Sequence, residues 1–263
     1  MLSRSVIAVF ILLCNAGFVR TDSENDGYSG EVAKFLSDLM DNDSYYKDFV
    51  ETAYRKMEDF KGETPDRYYA IAIINLYTQE SDFYTNLNRE MRNNYPSSTN
   101  IWRRAGDLIN RGLDILGPTI HKLSYRGCSK LDVLPVAGKE YRFNQITSTS
   151  LDKSVSVGFI NCPNGFLFEI KDVFGVLVQD YSDIGGEEEV LVKSNYVYNV
   201  TRGPVKEYNY NVYYLDGQPE INCNRRRKRD INRNYDYCIN SANKTGIGIV
   251  SLLTANVVLV LLF

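Results

Sequence analysis

The sequence predicts an α+β fold, because two different periodicities of apolar residues follow one another along the chain. Up to about residue 118 apolar residues recur every three or four positions, which is typical of helices that bury one face. From about residue 122 they alternate with polar residues, which indicates strands. Helices followed by strands favour an α+β domain over alternating βαβ units. The chain has 263 residues, 44% of them hydrophobic, with a net charge of −3, which suits one domain with a full core.

Five helices are expected in the first half, at residues 35–40, 49–57, 68–77, 83–91 and 102–116. The third of them is apolar on nearly every side and should therefore be buried. Ser81 and Asn100 are suited to cap the last two helices. The pair Gly117-Pro118 should end the fifth helix, because neither residue continues a helix well.

The second half should contain strands at residues 122–125, 141–147, 165–171, 174–181, 188–193, 196–200 and 209–215. We expect no internal repeat and no second domain. The charge is balanced and shows no basic footprint for nucleic acid.

Two carboxylates, Glu187 and Glu189, stand two residues apart in one predicted strand. Alternate residues of a strand face the same side, so we expect these two side chains to project together while Glu188 faces away. Taken alone, the triplet after Gly185-Gly186 is also typical of a solvated acidic turn. A glycosidase pair is a third interpretation, but such acids flank the scissile bond at about 5 Å or 6.5–9.5 Å. Two neighbours on one strand do not fit that arrangement well.

Two further segments supply a guanidinium and hydroxyl groups. Arg126 is suited to phosphate, because its planar fork makes bidentate contacts. Gly127 permits a close approach to the backbone. Ser148 ends a predicted polar strand, and its hydroxyl can donate to a carboxylate.

The ordered segments Tyr125-Arg126-Gly127, Ser148-Thr149-Ser150 and Glu187-Glu188-Glu189 together resemble the Arg, Ser-Thr-Ser, Glu-x-Glu pattern of the cell-surface mono-ADP-ribosyltransferases. The resemblance implies a core of two packed sheets with NAD in the cleft between them. It also implies NAD as co-substrate and no metal. The residues themselves also argue against a zinc site, because the chain has one histidine and no close pair of cysteines.

The resemblance assigns roles to the two carboxylates. Glu189 matches the catalytic glutamate, which stabilises the developing sugar cation and holds the ribose 2′-hydroxyl. Glu187 stands at the first position of Glu-x-Glu, where a glutamate implies that arginine is the residue modified. A glutamine at that position would imply an NAD glycohydrolase.

The resemblance also implies a set of NAD contacts. Arg126 anchors the diphosphate, and Gly127 presents its main chain to the nicotinamide carboxamide. Ser148 orients the catalytic glutamate, and Tyr125 belongs to the same binding segment as Arg126. Phe159 stands where the family has an aromatic that stacks on nicotinamide, although an aromatic there is also typical of a core position.

The expected activity is therefore NAD-dependent mono-ADP-ribosylation of arginine side chains on extracellular or surface proteins, with release of nicotinamide. Two alternatives stay open: an NAD glycohydrolase of the same fold, and a catalytically silent surface glycoprotein. The sole histidine, His121, is expected to be structural or exposed.

The two ends of the chain predict an extracellular location. Residues 1–21 are typical of a secretory signal, and residues 22–222 form the expected catalytic domain, helical to about 118 and β from about 122. Residues 223–243 form a basic stem with an attachment site, and the apolar residues 244–263 resemble a GPI-attachment signal. A spanning helix is the alternative for the tail, and a secreted protein the alternative for the location.

Four cysteines remain after the signal, an even number that suits disulfides in an oxidising compartment. We expect Cys128 to pair with Cys162 and Cys223 with Cys238, although four cysteines allow three pairings. Asn42, Asn199 and Asn243 stand in sequons that suit a secreted glycoprotein.

Overall fold

The computed structural model describes residues 27–94, 100–219 and 221–222. The expected signal segment, basic stem and attachment tail lie outside the described residues, together with Cys223, Cys238 and Asn243. Within the described ranges helices come first and strands follow, which confirms the α+β class. None of the helices in these ranges combines the length and the apolar character needed to cross a bilayer.

The helices are α1 Tyr28–Asn42, α2 Lys47–Glu58, α3 Pro65–Thr78, α4 Asp82–Asn94, α5 Ile101–Leu116 and the short α6 Lys153–Gly158. The first five cover the expected segments. Ser81 Oγ accepts from the Phe83 backbone N–H at 3.2 Å, and Asn100 caps α5 with its side-chain oxygen. Gly117 then takes a left-handed φ of 86°, which ends α5.

The helical core centres on α3, which packs against α1, α2 and α5. Every residue from Ala70 to Leu76 is fully buried, as the apolar character of this segment predicts. The same core continues into the strands through Ile146, Val176 and Leu191. The strands therefore lie directly against the helices, and the ends of α3 and α4 can reach the strand ends.

The strands are β1 Thr119–Cys128, β2 Glu140–Tyr141, β3 Thr147–Ser150, β4 Gly165–Leu177, β5 Glu189–Val192, β6 Tyr198–Glu207 and β7 Tyr210–Asp216. They follow the order β1-β3-β5-β4-β7-β6-β2, and β1 also pairs with β4. Among these seven described strands, only β4 and β7 run parallel. The four strands β1, β3, β5 and β4 thus close a ring, and hydrogen bonds join all seven strands into one network. The division into two sheets implied by the resemblance is not visible in this pairing, because the long β4 pairs with three other strands.

The strand expected at residues 141–147 is wrong. Tyr141 ends β2, Thr147 begins β3, and Asn144 between them has a left-handed φ of 54°. The physical reason is that Phe143 packs into the core of the strands whereas Ile146 packs into the helical core. The left-handed turn at Asn144, between these two side chains, interrupts the extended backbone.

The expected disulfide between Cys128 and Cys162 is also wrong, because both are free thiols in the structure. The Cys162 thiol instead donates to the Ser129 carbonyl oxygen at 3.2 Å. Burial raises the pKa of the Cys128 thiol, which keeps it protonated.

Candidate active site

A cleft of about 350 Å³ lies where the helical half meets the ends of β1, β3 and β5. All four residues expected to act in catalysis, Arg126, Ser148, Glu187 and Glu189, line this cleft. They come from β1, β3 and β5 and from the loop that precedes β5. Their convergence in one cleft is what the resemblance of the three sequence segments to the family pattern implies.

The pairing of β1, β3 and β5 brings Arg126, Ser148 and Glu189 together. In register, Ser148 lies opposite Leu191, and Ser150 lies opposite Glu189. Arg126 Nη1 donates to the Ser148 carbonyl oxygen at 2.7 Å, and the Ser148 side chain lies close enough to Glu189 to lower the pKa of its carboxyl group. The Arg126 guanidinium also lies 5.5 Å from the centre of the Phe143 ring. The Ser148 carbonyl oxygen and the Phe143 ring therefore hold the Arg126 guanidinium in the cleft.

Glu189 is half-buried at the start of β5 and lines the cleft. Burial raises its pKa to about 7; the Ser148 hydrogen bond opposes this shift, the charge of Glu187 adds to it and that of Arg126 lowers it. The carboxylate is therefore poised between its two protonation states near neutral pH.

Glu187 reaches the cleft by a route that the sequence did not predict. The strand begins at Glu189 instead of 188, and Glu188 takes a left-handed φ of 44°. The expectation that all three glutamates alternate along a strand is therefore wrong. The Ser150 hydroxyl donates to the Glu187 carbonyl oxygen at 2.6 Å and fixes the loop. Burial raises the pKa of Glu187, and the charge of Glu80 adds to this shift.

Gly127 lines the cleft beside Arg126, and its lack of a side chain is required there. A Cβ at this position would collide with the carbonyl oxygen of Ser156 and lie 3.2 Å from the Ile160 side chain. The backbone of α6 thus packs directly on β1, which brings Ser156 and Phe159 to the cleft.

We expect Gly127→Ala to destabilise the protein by roughly 1–3 kcal/mol, because the added methyl group overpacks this contact. Gly158→Ala is the matched control, since no atom lies within 4 Å of a Cβ built at Gly158, on the same short helix α6. Thermal unfolding of the two variants measures the difference. Equal stability of both variants would contradict the assignment of a packing role to Gly127.

Of the other residues considered in the sequence, Phe159 lines the cleft, whereas Tyr125 and His121 do not. Phe159 lines the cleft and is 52% exposed, so it is not a core aromatic. Tyr125 does not line the cleft, although its neighbours Arg126 and Gly127 do. His121 lies away from the cleft, where its Nε2 is 3.3 Å from the Gly175 carbonyl oxygen.

The sequence motifs did not reveal the residues that the helical half contributes to the cleft. Tyr77, Glu80, Tyr84 and Asn88 all line the cleft, from the end of α3, the following turn and α4. A signal was present, since the Tyr77 hydroxyl stands at the end of the long buried segment of α3. Within the described ranges no group of three or more His, Cys, Asp or Glu side chains could hold a metal ion.

A family model described as NAD:arginine ADP-ribosyltransferase matches residues 36–218, which is more than half of the chain. The chain belongs to this family. A similar curated relative is NAD(P)(+)--arginine ADP-ribosyltransferase 2 of Gallus gallus, 38% identical over 29% of this chain and 24% of the relative. Another is T-cell ecto-ADP-ribosyltransferase 2 of Mus musculus, 30% identical over 59% of this chain and 52% of the relative. The chain thus spans about a quarter to a half of the length of these relatives.

Solved structures share the fold. Exoenzyme S from Pseudomonas aeruginosa, bound to carba-NAD, has a TM-score of 0.58 at 17% identity, covering 73% of this chain and 90% of that chain. The eukaryotic mono-ADP-ribosyltransferase ART2.2 has a TM-score of 0.57 at 24% identity, covering 74% of this chain and 87% of that chain. At these identities the likeness concerns the fold alone.

Proposed function

We propose that this protein transfers ADP-ribose from NAD to arginine side chains of proteins and releases nicotinamide. The observation that carries the proposal is the convergence of Glu189, Ser148 and Arg126 in one cleft, where Ser148 and the charge of Arg126 both lower the pKa of the Glu189 carboxyl group. Membership of the family and the names of the chicken relatives support the same activity. The solved structures that hold NAD or carba-NAD support the cleft as the NAD site.

Cleavage of the bond between nicotinamide and ribose requires a nearby negative charge and no general acid. The nicotinamide of NAD is a cationic pyridinium, so it takes the electron pair of the bond to ribose C1′ and departs neutral without a proton. Positive charge then develops on the sugar. A fixed carboxylate in a low-dielectric cleft stabilises that charge without having to reorganise. Glu189 supplies it, and Ser148 fixes its direction.

The other residues of the cleft bind the two substrates. Arg126 pairs with the NAD diphosphate, since a guanidinium makes bidentate contacts with phosphate oxygens. Gly127 exposes its backbone beside Arg126, and the exposed Phe159 offers a face on which nicotinamide can stack. Glu187 binds the guanidinium of the acceptor arginine. A nitrogen of that guanidinium forms the new bond to ribose C1′ and then loses a proton.

The mouse and rat relatives are named ecto-ADP-ribosyltransferases, which supports an extracellular or cell-surface location. Lipid anchoring through residues 244–263 stays a prediction from the sequence.

Incubating the purified protein with labelled NAD and a small arginine analogue tests the proposed function. We expect a labelled arginine adduct together with free nicotinamide. Free ADP-ribose without an adduct would instead identify an NAD glycohydrolase. Absence of any turnover would contradict both activities and leave a catalytically silent glycoprotein.

A further inference from the structure

Three residues of the helical half, Glu80, Tyr84 and Asn88, line the cleft at intervals of four along the chain. Tyr84 and Asn88 lie on one face of α4, because an α-helix repeats every 3.6 residues, and Glu80 lies in the turn just before α4. The Gln79 side chain fixes this turn, since its Nε2 donates to the Phe49 carbonyl oxygen at 2.9 Å. We call the three cleft-lining residues the helical wall.

Each residue of the helical wall has a group that is free to bind a ligand. Glu80 is exposed, and within the described ranges no cation or hydrogen-bond donor pairs with its carboxylate. The Tyr84 ring is 45% exposed. Asn88 is only 7% exposed, and its Oδ1 is a buried acceptor with no donor among the described residues. Buried polar groups are normally satisfied, so this oxygen points to a donor that a ligand supplies.

The orientation of the Asn88 amide follows from its contact with Tyr77. The Tyr77 hydroxyl has a single proton, which it donates to the Ile146 carbonyl oxygen at 3.2 Å. The contact of 2.9 Å between Tyr77 and Asn88 therefore uses Asn88 Nδ2 as the donor. The free atom of the Asn88 side chain is thus the acceptor oxygen, and its ligand must bring an N–H or O–H group.

The charges in the cleft favour a cation as the ligand of the helical wall. Among the described residues that line the cleft, three are carboxylates, Glu80, Glu187 and Glu189, and one is a guanidinium, Arg126. In the function proposed above, Arg126 binds the diphosphate and Glu189 faces the sugar cation. Glu80 and Glu187 are then left for the acceptor, and they lie close enough for the charge of Glu80 to raise the pKa of Glu187.

We propose that the helical wall completes the site for the acceptor arginine: Glu80 pairs with its guanidinium, Tyr84 stacks on its plane and Asn88 Oδ1 accepts from one of its N–H groups. A guanidinium is planar, carries five N–H donors and stacks on aromatic rings, so a single group suits all three partners. This inference deepens the function proposed above and rests on it.

The test is an equilibrium titration of the purified protein, labelled with 3-fluorotyrosine, by fluorine-19 NMR. The loss of one signal in Tyr84→Phe identifies Tyr84. The probe is the methyl ester of arginine, and the methyl ester of citrulline is the matched ligand, because it has nearly the same shape without the charge. We expect the Tyr84 signal to shift with the arginine ester and to stay in place with the citrulline ester.

Glu80→Gln should raise the Kd of the arginine ester about two- to fivefold at low salt, the range that an exposed ion pair contributes. Asp82→Asn is the matched control, because Asp82 is an exposed carboxylate two residues away that does not line the cleft. It should leave this Kd unchanged. A Tyr84 signal that does not move with the arginine ester, or a Kd that is the same in Glu80→Gln and Asp82→Asn, would overturn the proposal. A Tyr84 signal that moves with NAD but not with the arginine ester would also overturn it, since the wall would then bind adenine.

The titration needs no turnover, and nicotinamide release by the same protein measures the proposed function separately. A protein that binds the arginine ester but does not cleave NAD would contradict the proposed function alone. A protein that modifies arginine while its Tyr84 signal stays in place would overturn only the role of the helical wall. In an active protein, Glu80→Gln should raise the KM for an arginine analogue about two- to fivefold and leave the KM for NAD unchanged.

Discussion

Glu189→Gln is expected to abolish both nicotinamide release and arginine modification. Losing one preorganised electrostatic contact costs about 10²- to 10³-fold in rate, and a full charge beside a sugar cation can cost more. The amide keeps the shape of the side chain and its contact with Ser148 but cannot neutralise the developing positive charge. Initial rates of nicotinamide release and of labelling of an arginine analogue measure the two activities.

Glu188→Gln is the matched control for this prediction, because Glu188 is exposed and does not line the cleft. It should keep both activities. Retention of either activity in Glu189→Gln within tenfold of wild type would show that the sugar cation is stabilised elsewhere.

Unfolding cannot account for the expected loss in Glu189→Gln. Burial raises the pKa of Glu189 from 4.5 to about 7, so the folded state disfavours the ionised carboxylate. A group with a raised folded pKa contributes stability at low pH, and that contribution is lost as the pH rises from about 4.5 to about 7. A neutral glutamine does not carry this cost. The variant should therefore unfold at or above the wild-type temperature at pH 7.5.

The sequence predicted the helices well because each helix carries its own signal. The apolar stripe fixes the buried face, and residues such as Asn100 and Gly117 mark the ends through local hydrogen bonding and φ. The strands carried weaker signals where tertiary packing decides. Phe143 and Ile146 belong to different cores, and nothing in their local sequence shows this.

The candidate site was predicted in composition but not in geometry. Glu187 and Glu189 do share the cleft, but a left-handed turn at Glu188 and the hydrogen bond from Ser150 place them there. Glutamate does not favour that backbone conformation, so periodicity could not reveal it. Tyr77 was predicted only as core, because its partners lie 11 and 69 residues away along the chain.

Glu187→Gln should separate the two activities that Glu189→Gln removes together. Arginine modification should fall by roughly 10- to 100-fold, because hydrogen bonds to a charged group contribute about 1.5–3 kcal/mol and an amide lacks the second anionic oxygen. NAD cleavage should persist, since Glu189, Ser148 and Arg126 keep their contacts. The charge of Glu187 raises the pKa of Glu189, so its removal lowers that pKa. NAD hydrolysis at pH 7 should therefore rise slightly. The acidic limb of the pH–rate profile for NAD hydrolysis should move to lower pH.

The same two rates, measured across pH 5–9 in Glu187→Gln, Glu188→Gln and wild type, decide between the possible roles of Glu187. Equal loss of both activities in Glu187→Gln would mean that Glu187 and Glu189 share the work of stabilising the sugar. Unimpaired arginine modification would remove the basis for arginine as the acceptor. An acidic limb that moves to higher pH would show that Glu187 assists the ionisation of Glu189, against the sign that two like charges in one cleft require.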